Sequence, residues 1–193
     1  MARKKQGTPS VELLEEELKR ERYRRRYRRV LRSTVYSLLV VAAVAVLIAM
    51  LVMPVLQIIG TSMSETLDDG DIVVALRGSS YEKGDVVAFY YNNSILIKRV
   101  IASTGDWVSI DGEGNVSVNG EVLDEPYVSE KALGECDIAM PYQVPEGRSF
   151  LMGDHRLTSI DSRSTTVGCI PDDMVVGRLY LRVWPLTKFG PVR

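Results

Sequence analysis

Asp85–Ile101, DVVAFYYNNSILIKRVI, holds two runs rich in β-branched and aromatic residues, Asp85–Tyr91 and Ile95–Ile101, on either side of Asn92-Asn93. Runs of this length and composition read as β-strands. In a strand, residues of one parity share a face. Lys98 therefore lies with Leu96 and Val100, while Arg99 shares the other face with Ile97 and Ile101. A lysine flanked by Leu and Val on an inward face is costly unless burial tunes it as a base. The alternative is an edge-strand lysine that deters aggregation, and the pattern leaves both readings open.

Outward from this stretch the strand pattern continues. Asp71–Leu76, Trp107–Ile110, Asn115–Val118, Glu121–Leu123, Phe150–Met152, Val175–Val176 and Arg178–Val183 read as further strands, and Asn119-Gly120 is a two-residue hairpin signal. Many short strands with Asp/Gly/Asn turns predict a mainly β domain, a sandwich or barrel-like fold.

Upstream, no charged residue occurs from Ser33 to Ser64, and Thr34–Met53 (TVYSLLVVAAVAVLIAMLVM) is almost wholly apolar. About 20 residues at about 1.5 Å each match a hydrocarbon core of about 30 Å. The run is too long for a signal-peptide core and apolar on every side, so it reads as a single transmembrane helix. Arg22–Arg32 (RYRRRYRRVLR) precedes it directly, and the positive-inside rule then puts the N-terminus in the cytoplasm and the remainder outside. Ser10 is placed to cap a helical tail in which Val11, Leu14 and Leu18 recur at helical spacing. The expected divisions are a basic cytoplasmic tail over 1–32, an anchor over 33–54 and an extracytoplasmic domain over 55–193.

Charge follows the same division. The 193 residues carry a net charge of −1, yet residues 1–32 hold twelve Lys/Arg against five Asp/Glu, which leaves the remainder at −8. A nucleic-acid-binding domain needs a basic folded surface, so that class is excluded. The basic run beside the span suits anionic membrane lipid as a partner. One His and two Cys cannot supply a four-ligand His/Cys zinc site, and neither metal nor cofactor is expected. Cys136 and Cys169 either pair or stay free on this reading, and the oligomeric state is not legible.

The sole histidine, His155, sits among charged neighbours in a glycine-bearing loop, which favours a structural turn over a catalytic base. A serine nucleophile then needs another base, and a lysine kept neutral by burial serves. Ser62 and Ser64, in GTSMSETL, are the serines that follow the anchor.

Four blocks in order, Gly60–Leu67 with Asp69-Gly70-Asp71, Gly84–Ala88 (GDVVA), Ile97–Gly105 (IKRVIASTG) and Gly153–Arg163 (GDHRLTSIDSR), resemble the bacterial type I signal peptidases. These are membrane-anchored Ser/Lys proteases that remove signal peptides from exported proteins. The resemblance implies a β-rich catalytic domain outside the cytoplasm on a plasma-membrane anchor, with signal-peptide-bearing preproteins as partners. It implies Ser62 as nucleophile, Lys98 as general base, and Ser159 as the hydroxyl that holds the lysine amine. It pairs Asp154 with Arg99 and Asp161 with Arg163. The oxyanion site falls at Ser62 and Gly60, and Ile58, Met63, Leu67, Leu96 and Ile97 line pockets for small residues of an Ala-X-Ala site. Three positions depart from the family pattern: Glu65 stands for a usual Pro, His155 for a usual Asn, and Gly60 where some members carry an oxyanion serine. Two alternatives remain, a non-catalytic relative acting in pilus assembly and a peptidase dedicated to pilins.

Overall fold

The computed structural model describes residues 11–192, and the chain divides between Ile48 and Ala49 into two compact units. Ser10, the expected helix cap, lies outside the described residues. The tail and the anchor form one uninterrupted helix, α1 (Val11–Val52), of 42 residues. At about 1.5 Å per residue it is about 63 Å long, roughly twice a hydrocarbon core. Its apolar part has a mean hydropathy of 2.9 over an 18-residue window, none of it buried by protein, and is long and apolar enough to cross a membrane. The helix stops where it must: the Met53 N–H still reaches the Ala49 carbonyl at 2.7 Å, but Pro54 has no N–H to continue the ladder.

The second unit is β-rich, as the strand pattern predicts. Its strands are β1 (Val55–Gln57), β2 (Ile72–Arg77), β3 (Val86–Tyr91), β4 (Ser94–Ala102), β5 (Trp107–Ile110), β6 (Val116–Val118), β7 (Glu121–Val122), β8 (Tyr142–Gln143), β9 (Arg148–Met152), β10 (Ile170–Pro171), β11 (Val175–Trp184) and β12 (Gly190–Pro191). The larger sheet runs β1-β2-β11-β3-β4-β9-β10, with β12 against β11, and the smaller runs β7-β6-β5-β8. The two predicted strands Val175–Val176 and Arg178–Val183 are one strand, β11, whose register shifts three times against its neighbours. Asn119 and Gly120 both have positive φ, 54° and 85°, the geometry of a primed hairpin turn.

Strand β4 lies inside the larger sheet. Val87 of β3 pairs with Lys98, and Met152 of β9 pairs with Arg99. The edge-strand reading of Lys98 therefore falls: the residue is 4 % exposed in an interior strand. Leu96 and Val100 pack with Val87, Phe89 and Leu151, whereas Ile97 joins a separate core of Met63, Leu67, Val73 and Leu179. That second core holds the loop between β1 and β2. The Ile58 N–H bonds the Asp71 carbonyl and the Gly70 N–H returns to Ile58, which closes the loop at its base. Buried Met63 and Leu67 plug it into the sheet from within. Glu65 at its tip has φ 84°, a left-handed conformation that the usual Pro of the resembled family cannot adopt.

Candidate active site

Ser62 comes from this pinned loop and Lys98 from the middle of β4, and both open on one cavity of about 110 Å³. Gln57, Ile58, Ile59, Gly60, Met63, Ile95, Leu96 and Ile97 complete its wall. Of the expected pocket residues, Ile58, Met63, Leu96 and Ile97 line the cavity. Leu67 is fully buried in the core behind it and is absent from the wall. Neither the Ser62 hydroxyl nor the Lys98 ammonium is hydrogen-bonded to another group among the described residues. Burial, the largest influence, pulls the Lys98 pKa from 10.5 down to about 8, and Arg163 pushes the same way, against the opposing pull of Asp161 and Asp154.

The two supporting ion pairs form, each two-pronged and dry. Arg99 donates through Nε to Asp154 Oδ1 at 2.9 Å and through Nη2 to Oδ2 at 2.6 Å. Its remaining nitrogen reaches the Gly84 carbonyl at 2.6 Å, and its guanidinium lies 3.9 Å from the Tyr127 ring centre. Arg163 binds Asp161 through Nε at 2.8 Å and Nη2 at 2.9 Å. Asp161 also accepts from the Gly153 N–H at 2.9 Å and the Ser159 hydroxyl at 2.7 Å. Burial raises its pKa, but these bonds and the Arg163 charge outweigh that and hold it below the usual carboxylate value. The Ser159 proton is thus spent on Asp161, which leaves the oxygen lone pairs as acceptors.

Gly153 is tightly enclosed by the site. A Cβ built there would lie 2.3 Å from Ser159 Oγ and 2.5 Å from the Ser62 carbonyl oxygen. Only glycine lets the β9 end pass between those groups. Gly153→Ala should therefore push Ser62 and Ser159 apart, with kcat/KM falling about 10²-fold, the expected consequence of a displacement near 1 Å. Steady-state cleavage of a preprotein would show it.

The donors at Ser62 and Gly60 divide differently from the expectation. The Gly60 N–H is committed to Asp69 Oδ1 at 2.7 Å, so Gly60 offers no donor to the cavity, which corrects the expected oxyanion role. The Ser62 N–H, in contrast, meets no acceptor among the described residues.

Sequence reasoning missed the third dry ion pair. Arg156, with no exposed surface, forks onto the Glu125 carboxylate and sends Nε to the Gly153 carbonyl at 3.1 Å. Glu125 lies 31 positions away in a stretch without strand pattern, so no local signal links the two. Thr66 was also missed: its hydroxyl bonds Asp154 from the tip of the Ser62 loop. Cys136 and Cys169 are free thiols, and burial pushes the Cys169 thiol up to about 11.

The chain is similar to several known peptidases. Over 148 residues the chain is 37 % identical to thylakoidal processing peptidase 1 of Arabidopsis thaliana, covering 68 % of this chain and 42 % of that protein. It is 35 % identical over 152 residues to signal peptidase IB of Staphylococcus aureus, covering 68 % of this chain and 78 % of that one. The chain thus spans less than half the length of the plant relative and most of the bacterial one. A crystal structure of a signal peptidase I from Enterococcus faecalis superposes with a TM-score of 0.43 at 26 % identity, covering 52 % of this chain and 97 % of that chain. Residues 31–184 match the family described as "Signal peptidase, peptidase S26". With that match spanning most of its length, the chain belongs to the signal peptidase family, peptidase S26.

Proposed function

We propose that the chain is a membrane-anchored serine endopeptidase that removes signal peptides from exported preproteins, with Ser62 as nucleophile and Lys98 as general base. The observation that carries this is a lysine 4 % exposed, with its pKa lowered to about 8, on the cavity wall that Ser62 shares. Neutral Lys98 Nζ takes the Ser62 Oγ proton as Oγ attacks the scissile carbonyl carbon. The Ser62 N–H receives the negative charge that develops on the carbonyl oxygen. The C–N bond breaks as Lys98 returns the proton to the leaving amine. Lys98 next takes a proton from water, the hydroxide attacks the ester, and Ser62 leaves with that proton.

The substrate class follows from the cavity. Its small apolar wall of Ile58, Met63, Leu96 and Ile97 suits the short side chains of an Ala-X-Ala site. The substrate segment runs extended along Gln57–Gly60, where main-chain pairing fixes its register. The α1 anchor tethers the enzyme to the membrane that the signal peptide also occupies, which raises their effective concentration. The N-terminus is cytoplasmic and the β-rich unit extracytoplasmic, and Arg22–Arg32 meets anionic lipid at the inner leaflet.

The test is cleavage of a preprotein with an Ala-X-Ala site by the detergent-solubilised full chain. Wild type and Ser64→Ala should cut there, and Ser62→Ala should not. A wild type inactive even in native lipid would instead favour the non-catalytic pilus-assembly relative. The pH profile is the second check. Only neutral Lys98 is a base, so kcat/KM should rise about tenfold per pH unit below about 8 and level above it. A profile flat from pH 6 to 9 would remove Lys98 from the rate-limiting proton transfer.

A further inference from the structure

The peptide unit that joins Thr61 to Ser62 carries at one end the Ser62 N–H assigned above to the oxyanion. At its other end is the Thr61 carbonyl, and that oxygen is held from outside the loop. It accepts from the Ser64 N–H at 3.0 Å, within the same turn, and lies 3.3 Å from His155 Nδ1. A carbonyl can only accept, so this contact assigns the proton to Nδ1. The Thr158 hydroxyl, 3.1 Å from Nδ1, lies beside the same proton. The next peptide is held as well: the His155 N–H donates to the Ser62 carbonyl at 3.2 Å. One residue thus grips both peptides that flank the nucleophile, one through its ring and the other through its backbone.

The grip is rigid because His155 stands between two fixed neighbours. Asp154 is locked on Arg99 and Thr66, and Arg156 is locked on Glu125 and the Gly153 carbonyl. Both are at most 2 % exposed, whereas His155 itself is half-buried at the loop surface.

We propose that His155 is a positioning residue for the oxyanion site. It donates through Nδ1 to the Thr61 carbonyl, which fixes the plane of the Thr61–Ser62 peptide and polarises its N–H toward the substrate oxygen. Hydrogen bonds in series strengthen one another, so a donor at the carbonyl makes the N–H at the far end a better donor. A contact of 3.3 Å is long for a neutral pair, and it shortens as charge develops on the substrate oxygen. The interaction therefore grows in the transition state and adds little to binding of the substrate itself.

The proposal rests on the Ser62 reading, and the experiment separates the two. Wild type, His155→Ala, His155→Asn and Ser62→Ala of the full chain would be compared on an Ala-X-Ala preprotein. Binding of a peptide aldehyde ending in Ala, which forms a tetrahedral adduct on Ser62, would be measured in parallel. His155→Ala should lower kcat about tenfold with KM unchanged and weaken the aldehyde by a similar factor, the scale of one net hydrogen bond. His155→Asn, whose amide N–H can replace Nδ1–H, should recover most of both, with thermal midpoints alike across the set. Two results would overturn it: His155→Ala with wild-type kcat and aldehyde affinity, or a loss that Asn does not rescue. A Ser62→Ala protein that still cuts would overturn the nucleophile reading and this proposal with it.

Discussion

Lys98→Met and Lys98→Arg should lose cleavage by on the order of 10⁴-fold or more, while Lys98→Met keeps or raises its thermal midpoint. The two halves of this result have one cause. Lys98 sits 4 % exposed in an interior strand, where its charged form is poorly solvated, and burial is the largest influence that pulls its pKa down to about 8. Methionine has similar length and apolar character, so it fills the space without the desolvation penalty and without a base. Arginine keeps the charge and cannot release its proton in the working range. A residue whose removal ends activity yet leaves the fold as stable is retained for chemistry. Wild-type turnover in either variant would end its role as base.

The second large effect concerns stability. Asp161→Asn should destabilise the β-rich unit by about 3–5 kcal/mol, because it leaves the Arg163 guanidinium buried and uncompensated. That is a large share of the roughly 5–15 kcal/mol that holds a domain together. The same carboxylate receives the Gly153 N–H and the Ser159 hydroxyl, so the residues nearest Lys98 loosen too. Its folded pKa lies below the unfolded value of about 3.9, so its contribution is complete above that pH and is lost as the pH falls below it. Wild type should therefore weaken below about pH 4, and Asp161→Asn should show a flatter acid limb. Urea unfolding at pH 3 and pH 7 would measure both, and equal slopes would refute the assignment.

Much of this was legible in the residues because local pattern and burial coincide. Ile95–Ile101 shows its two faces by parity alone, and the structure keeps them apart in separate cores. Block resemblance reached Ser62 and Lys98, which line one cavity, and the Asp154–Arg99 and Asp161–Arg163 pairs, both of which form. What escaped is non-local or irregular. Strand β1 is hidden because Val55 and Leu56 continue the apolar anchor without a break in composition. Strand β11 reads as two pieces because its register shifts defeat strict alternation. The Glu125–Arg156 pair joins a patternless segment to a recognised block, and only the fold brings them together. The Gly60 N–H is claimed by Asp69 through a turn that spacing does not reveal.

Strand β11 sits between β2 and β3, although it comes some 80 residues after β3 in the chain. The larger sheet, which carries Lys98 on β4, therefore has a gap between β2 and β3 until β11 has been made and inserted. Ser62 and Lys98 are both synthesised long before that moment. A growing chain consequently carries Ser62 and Lys98 before the sheet that holds Lys98 is complete. Completion of the larger sheet therefore waits on its last-made central strand, so the end of this segment of chain, not its beginning, decides when the sheet closes.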